Sequence, residues 1–402
     1  MSRALRSGWS FIDAVDWWGP DDRTWRAAGA VEQPATVDPA SGRPYPFDPD
    51  AMLFLAEFTG PLADLSPRTQ LARLVDRATS TGLTVAVGWE FECIVLEGAP
   101  GPDATWLERP TPAMTANRCW SARTPAAESV ALRELDNLLA AGGVPLDHCC
   151  AELGPGCLEL ATPPTDPVRS ADEAALMKVY TKAFFDRRGR TATFMAQLSE
   201  DFPGLGGHPT LTLHADGDTR ALGAGHDGAL DPRVASAIAG VVSLLPELFP
   251  MVAATPNAYR RFAPGNWAPG SASWGHGNYS CAVRVVRARD GSVRLELRAA
   301  GADASPHRCL AMALGAALWG VEHRLVPPPP IDPPLDGRLA DGAVRFPRTL
   351  AEAVDRFESS AAAVELFGPS FVSHHAAACR AEDEACRRMV PAGERGRYLH
   401  EA

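Results

Sequence analysis

Residues 85–96 read Val-Ala-Val-Gly-Trp-Glu-Phe-Glu-Cys-Ile-Val-Leu. An apolar, β-branched run of this length is the pattern of a buried strand. Two glutamates interrupt it with one residue between them. On a strand, residues i and i+2 share a face, so Glu90 and Glu92 project side by side. Neighbouring carboxylates in such a strand repel each other and lose hydration. They then need cations, protons or arginines close by. An edge strand with both glutamates in water fits the same twelve residues, and the stretch alone does not choose.

A second acidic stretch, Glu152-Leu-Gly-Pro-Gly-Cys-Leu-Glu159, sets a Gly-Pro-Gly turn between two glutamates. Such a turn reverses or kinks the chain, so both carboxylates can face one cavity. Further on, 294–298 reads Arg-Leu-Glu-Leu-Arg. Strict alternation puts Arg294, Glu296 and Arg298 on one face and leucines on the other, which suits a half-buried sheet with a charged face lining a cavity.

Helices separate these strands. Ser66, Pro67, the spacing of Leu71, Leu74 and Val75, and Gly82 predict a helix over 66–80. Others are expected from about 125 to 141 and over 172–187, 231–245, 306–325, 350–367 and 371–389. Strands are expected over 191–196, in the run entered through Gly204-Leu-Gly-Gly-His208, and around 282–285. Residues 1–60 are rich in Pro, Gly and Asp and read as strands and loops, with short apolar pieces such as 9–13. The 402 residues contain no internal repeat and no clear linker, so one domain over 1–402 is the simplest organisation.

Composition excludes some classes. A formal net charge of -11 without a long Lys/Arg run argues against a general nucleic-acid binder. The N-terminus lacks the apolar core of a signal peptide, and no run approaches the roughly 20 apolar residues of a membrane helix. Nine cysteines without a C-x-x-C pair read as reduced thiols, and together these features predict a cytoplasmic protein.

Six motifs in order then carry a resemblance. They are G-W-E-F-E, H-C-C-A-E-L-G-P-G-C-L-E, G-L-G-G-H, Y-R-R-F-A-P-G-N-W-A-P, N-Y-S-C-A-V-R, and R-L-E-L-R followed by G-A-D-A-S-P. In this order and spacing the chain resembles the catalytic domain of the glutamine synthetase family, and its details are nearer the γ-glutamyl amine ligases. The resemblance implies an α+β fold: a curved antiparallel sheet forming a funnel, helices outside, and two divalent ions at the waist. It makes Glu92, Glu152 and Glu159 ligands of one ion, and Glu90, His208 and Glu296 ligands of the other. Five carboxylates and one imidazole suit Mg²⁺ or Mn²⁺ on chemical grounds as well. Taken alone, His208 would be read as a histidine satisfied in the core or a loop.

The resemblance also implies that Arg261 binds a substrate carboxylate, where a bidentate fork is apt. Arg284 would steady nucleotide phosphates, Arg298 would lie near the transferred phosphoryl group, and the backbone of Gly204 would approach the amino acid. A structural ion pair is the alternative for each arginine. ATP is the implied co-substrate. A small-molecule acid and an amine are the implied substrates, and the protein is expected to form a homo-oligomer.

Four departures from the family pattern shape the expectation. The catalytic part begins almost at residue 1, so the family's small N-terminal β-grasp domain is expected to be absent and the assembly to differ. Trp267 stands where ammonia-using members carry a glutamate, which favours a larger nitrogen nucleophile. Tyr279 replaces an arginine expected near the phosphates, and Pro203 an asparagine that would contact the amino acid. The sequence thus leaves three readings: an ATP-dependent ligase of glutamate or a related acid with an organic amine, a binding or regulatory relative, and a metal-dependent enzyme that no longer uses ATP.

Overall fold

The computed structural model describes residues 34–98, 110–114, 119–215, 217–218, 220–223, 229–263, 266–335, 339 and 341–399. The expected apolar piece at 9–13 lies outside them. Four short strands come first: β1 (Ala35–Val37), β2 (Arg43–Pro44), β3 (Met52–Leu53) and β4 (Ala56–Phe58). They pair antiparallel as β1 with β4 and β2 with β3, apart from the main sheet.

Helix α1 (Pro67–Ser80) follows, with the Ser66 hydroxyl accepting from the Thr69 N–H and Pro67 in its first turn. Then comes the central strand, β5 (Leu83–Glu97), three residues longer than the run that predicts it. Helix α2 (Arg123–Ala141) leads to β6 (His148–Ala151) and β7 (Cys157–Thr165). Helix α3 (Pro167–Asp186) starts five residues before the expected position, because Asp166 caps it by accepting from Val168 and Arg169. Strands β8 (Arg190–Thr193) and β9 (Gly207–Ala215), helix α4 (Pro232–Leu244), and strands β10 (Trp274–His276), β11 (Val283–Arg287) and β12 (Val293–Leu297) complete the sheet region. Helices α5 (Pro306–Glu322), α6 (Leu350–Ser359), α7 (Ala361–Phe367), α8 (Pro369–Arg387) and α9 (Ala392–Tyr398) close the described chain. The single helix expected over 350–367 is two, because Ser360 takes extended backbone and caps α7 through the Ala363 N–H.

Among the described residues the main sheet has eight strands in the order β10-β11-β12-β9-β5-β7-β6, with β8 also paired to β5. It is antiparallel except for the β10–β11 pair, which departs from the purely antiparallel expectation. The long β5 is the hub. It pairs with β9 along Leu83–Phe91, with β7 along Val87–Ile94 and with β8 from Ile94. A bulge between Val87 and Trp89 re-registers β7 just before the glutamates. There the Thr162 hydroxyl accepts from the Trp89 N–H, and the Ser170 hydroxyl of α3 donates to the Val87 carbonyl.

The alternation of β5 sorts its two faces. Trp89 and Phe91 are fully buried and stack with ring centroids 5.0 Å apart, on the opposite side from Glu90 and Glu92. Beneath this core α1, α3 and α5 are tied by one buried carboxylate. Asp172 accepts from Arg68 Nε at 2.8 Å and meets His307 Nε2 at 2.7 Å. Those partners hold its pKa below the ordinary range, although burial alone would raise it.

Candidate active site

Register, more than sequence proximity, assembles the site. Glu90 lies opposite His208 on β9, and Glu92 lies opposite Glu159 on β7. Glu296 lies opposite Thr210, two residues along β9 from His208, and Arg284 lies opposite Glu296. Cys150 lies opposite Glu159 and His148 opposite Ala161. Since i and i+2 share a face, one side of the sheet carries a continuous charged band from β11 to β6.

The second expected ligand set is gathered. One donor atom from each of Glu90, His208 and Glu296 lies within 4.8 Å of the others. The surroundings set their charge states. Glu90 is pushed up to about 7 by burial, then by the charges of Glu296 and Glu159. His208 is held well below its ordinary value by burial and by Arg298, Arg261 and Arg284, so its ring is neutral and offers a lone pair. Glu296 is buried between two cations: Arg284 Nη1 at 2.6 Å and Arg298 Nη1 at 2.5 Å.

The first expected set is adjacent but engaged elsewhere. Glu92 accepts from the Gly206 N–H at 2.5 Å. It is pushed up to about 7 by burial, with Glu152 and Glu159 adding to the rise and Gly206 and Arg261 opposing it. Glu152 follows β6 and accepts from the Cys119 thiol at 3.1 Å. Glu159 is 3.1 Å from His148 Nε2, and its pKa is raised chiefly by burial. Both acidic stretches thus meet at one point, as the Gly-Pro-Gly turn allows. Gly154 takes φ +109°, and a Cβ there would press within 2.7 Å of the Pro203 ring. Pro203 therefore packs on the turn that carries Glu152.

Carboxylates crowded together with raised pKa values, beside a neutral imidazole, form a donor set suited to hard divalent cations. Of the two expected sets, Glu90, His208 and Glu296 are gathered closely enough to hold such an ion.

The arginines divide in role. Arg261 is 2 % exposed. Its guanidinium donates to the carbonyls of Ala299 and Arg298 and lies 3.2 Å from His208 Nε2, while Nε has no hydrogen-bond partner among the described residues. Burial pushes its pKa down to about 10, the mark of a cation short of an anion. Gly204 is the residue that leaves it room: a Cβ there would sit 2.8 Å from Arg261 Cγ.

Tyr279 lies against both Arg284 and Arg298. The sequence reading takes it as a lost arginine. In the structure its hydroxyl accepts from Arg284 Nη2 at 3.0 Å, and its ring lies 3.9 Å from the Arg284 guanidinium and 5.1 Å from that of Arg298. Its carbonyl accepts from Arg298 Nε at 2.8 Å. Tyr279 thus steers both arginines. Trp267 stands on a loop, 66 % exposed and at φ +54°. Sequence reasoning passed over His148, Cys150 and Cys119. Alternation along His148-Cys-Cys150 would have placed the first two on one face.

A family model described as "Glutamine synthetase, catalytic domain" matches residues 64–398. The chain belongs to the glutamine synthetase family. Enzymes of this family use ATP and divalent metals. A γ-glutamylethanolamide synthetase of Streptomyces coelicolor is 32 % identical over 355 residues, spanning 87 % of this chain and 75 % of that protein. A glutamate–isopropylamine ligase of a Pseudomonas species is 28 % identical over 354 residues, 86 % of this chain and 76 % of the relative. The fold is that of ligand-free GmaS, with a TM-score of 0.82 at 23 % identity over 99 % of this chain and 90 % of that one. Among the described residues no helix is long and apolar enough to cross a membrane.

Proposed function

We propose that this member of the glutamine synthetase family is an ATP-dependent carboxylate–amine ligase that joins glutamate, or a related acid, to an organic amine. One observation carries the reading. A single sheet face brings the donors Glu90, His208 and Glu296 within 4.8 Å of one another, with Arg284 and Arg298 clamped on the last of them. The names of the relatives support the amine as acceptor.

In this reading Glu92, Glu152 and Glu159 hold one Mg²⁺ or Mn²⁺, and Glu90, His208 and Glu296 the other. When bound, the ions neutralise the phosphates of ATP. Arg284 and Arg298 sit at the edge of the band, where the transferred phosphoryl group carries its charge, and Tyr279 holds them in place. Arg261 supplies the buried cation, with a spare Nε–H donor, for the acid's carboxylate. The close approach of Gly204 leaves backbone open to the same substrate.

Phosphorylation of the side-chain carboxylate gives an acyl phosphate, which the amine nitrogen attacks with release of phosphate. The protein contributes positioning, charge stabilisation and exclusion of water. Trp267 offers an apolar wall and a π face to the incoming amine.

ADP release against a panel of acids and amines tests the proposal. The expected result is release that requires both an acid and an organic amine, with a higher kcat/KM for the best amine than for ammonia. Absence of ADP release with every pair would overturn it.

A further inference from the structure

Beside the two expected ion sites lies a donor group that shares Glu159 with one of them and adds two residues, His148 and Cys150, that the ligase reading does not use. His148 and Cys150 alternate on β6 and share a face, and Cys150 lies opposite Glu159 on β7. One donor atom from each of His148, Cys150 and Glu159 falls within 4.8 Å of the others. His148 Nε2 is 3.1 Å from Glu159 Oε1, and Cys150 Sγ is 3.9 Å from the same oxygen. Ligands around a tetrahedral Zn²⁺, with bonds near 2.0–2.3 Å, stand about 3.3–3.8 Å apart. The observed pair of distances brackets that spacing, so shifts of a few tenths of an ångström would close the shell.

The rest of the geometry points the same way. His148 Nδ1 is 3.4 Å from an Asp147 carboxylate oxygen, the outer contact that orients a ligating imidazole and fixes its tautomer. The His148 side chain is 44 % exposed, leaving an approach for the ion and a place for water as fourth ligand. The donor chemistry differs from that of the neighbouring sets. A thiol with an imidazole and a single carboxylate selects a thiophilic ion, whereas all-oxygen sets with at most one imidazole suit Mg²⁺ or Mn²⁺. On binding, the ion takes the place of the thiol proton, which leaves to solvent.

We infer that His148, Cys150 and Glu159 form a Zn²⁺ site at the rim of the band, and that its occupation inhibits the enzyme by drawing Glu159 away from the neighbouring hard ion. Glu159 lies opposite Glu92 on one side and Cys150 on the other, so one carboxylate is contested by two ions. The inhibition rests on the proposed ligase reading. The binding site does not.

The experiment therefore starts with metal alone. Co²⁺ is titrated into the thiol-reduced full-length protein in the absence of nucleotide, and thiolate-to-cobalt charge-transfer absorption is followed, then displaced by Zn²⁺. The expected result is one such chromophore per chain in the unaltered protein and in Cys119→Ser. It should be absent in Cys150→Ser and weakened in His148→Gln. Loss of a direct ligand should cost at least as much affinity as loss of an outer partner, about 10–100-fold. No charge-transfer absorption in the unaltered protein would overturn the site, as would absorption that survives Cys150→Ser but not Cys119→Ser. Circular dichroism of each variant confirms that it is folded. With turnover as readout, Cys150→Ser should match the unaltered protein in Mg²⁺ and need about 10-fold or more Zn²⁺ for half inhibition. Equal sensitivity of the two would overturn the regulatory half.

Discussion

The two ends of the charged band solve the same electrostatic problem differently. At the β11–β12 end, Glu296 is buried but compensated by Arg284 and Arg298, and Tyr279 fixes both arginines. At the β5–β7–β6 end, Glu90, Glu92, Glu152 and Glu159 are crowded together, only Glu159 meets a cation-forming side chain directly, His148 at 3.1 Å, and Glu90 and Glu92 are both pushed up to about 7. The first end is complete as a protein structure. The second is complete only with added positive charge.

Removing the shared carboxylate should break the compensated end most severely. Glu296→Ala leaves two close arginines without their anion and deletes a metal donor. A stability loss of about 3–5 kcal/mol in denaturant titration is expected. Turnover should fall about 100- to 1000-fold.

At the other end the same kind of change should act in the opposite direction on the metal-free protein. Glu90→Gln relieves repulsion with Glu296 and Glu159. It should raise metal-free stability by about 1–2 kcal/mol while abolishing the rise in Tm that Mn²⁺ gives the unaltered protein. Destabilisation with an intact Mn²⁺ response would dissolve the contrast.

How much of this was legible in the sequence follows from what each step depends on. The strand around Glu90 and Glu92, the N-cap at Ser66, the helix beginning near Asp231 and the alternation of 294–298 are local patterns, and they appear as predicted. The break at Ser360 was hidden because a small polar residue fits a helix interior as readily as a cap. The pairing of Glu92 with Glu159, and of Glu159 with the thiol at Cys150, depends on register between strands. What Tyr279 does in the arginine's place likewise depends on the neighbours it touches. A type change looks like a loss until the neighbours it touches are known.

Acid lability needs a reference outside the band, and His375 supplies one. It is buried, its Nε2 meets the Pro250 carbonyl at 3.1 Å, and its pKa is lowered to about 3, chiefly by burial. Below about pH 6.5 the unfolded chain takes up a proton there that the native state refuses, so stability falls as pH drops. Asp172 acts in the same direction, since its depressed pKa gives stability that is lost as pH falls through the folded value. His375→Gln should recover about 1–3 kcal/mol of the stability lost between roughly pH 6.5 and 4, measured by urea titration at each pH.

Two smaller effects sharpen the roles at the edges. Trp267→Glu should narrow the preference for an organic amine over ammonia by about 3- to 10-fold in kcat/KM, with the loss falling mainly on the amine reaction. Tyr279→Phe keeps the ring beneath Arg284 and removes only the hydroxyl acceptor. The KM for ATP should rise by about 2- to 5-fold, a fraction of what Tyr279→Ala costs.

The central claim is that the carboxylates of the band, from Glu296 across Glu90 and Glu92 to Glu159, are arranged for ions. Anomalous diffraction from crystals grown with Mn²⁺ and a non-hydrolysable ATP analogue tests it most directly. The account predicts two manganese peaks, one among Glu90, His208 and Glu296 and one among Glu92, Glu152 and Glu159. Carboxylates in those positions with no anomalous density between them, in crystals that show the nucleotide bound, would contradict it.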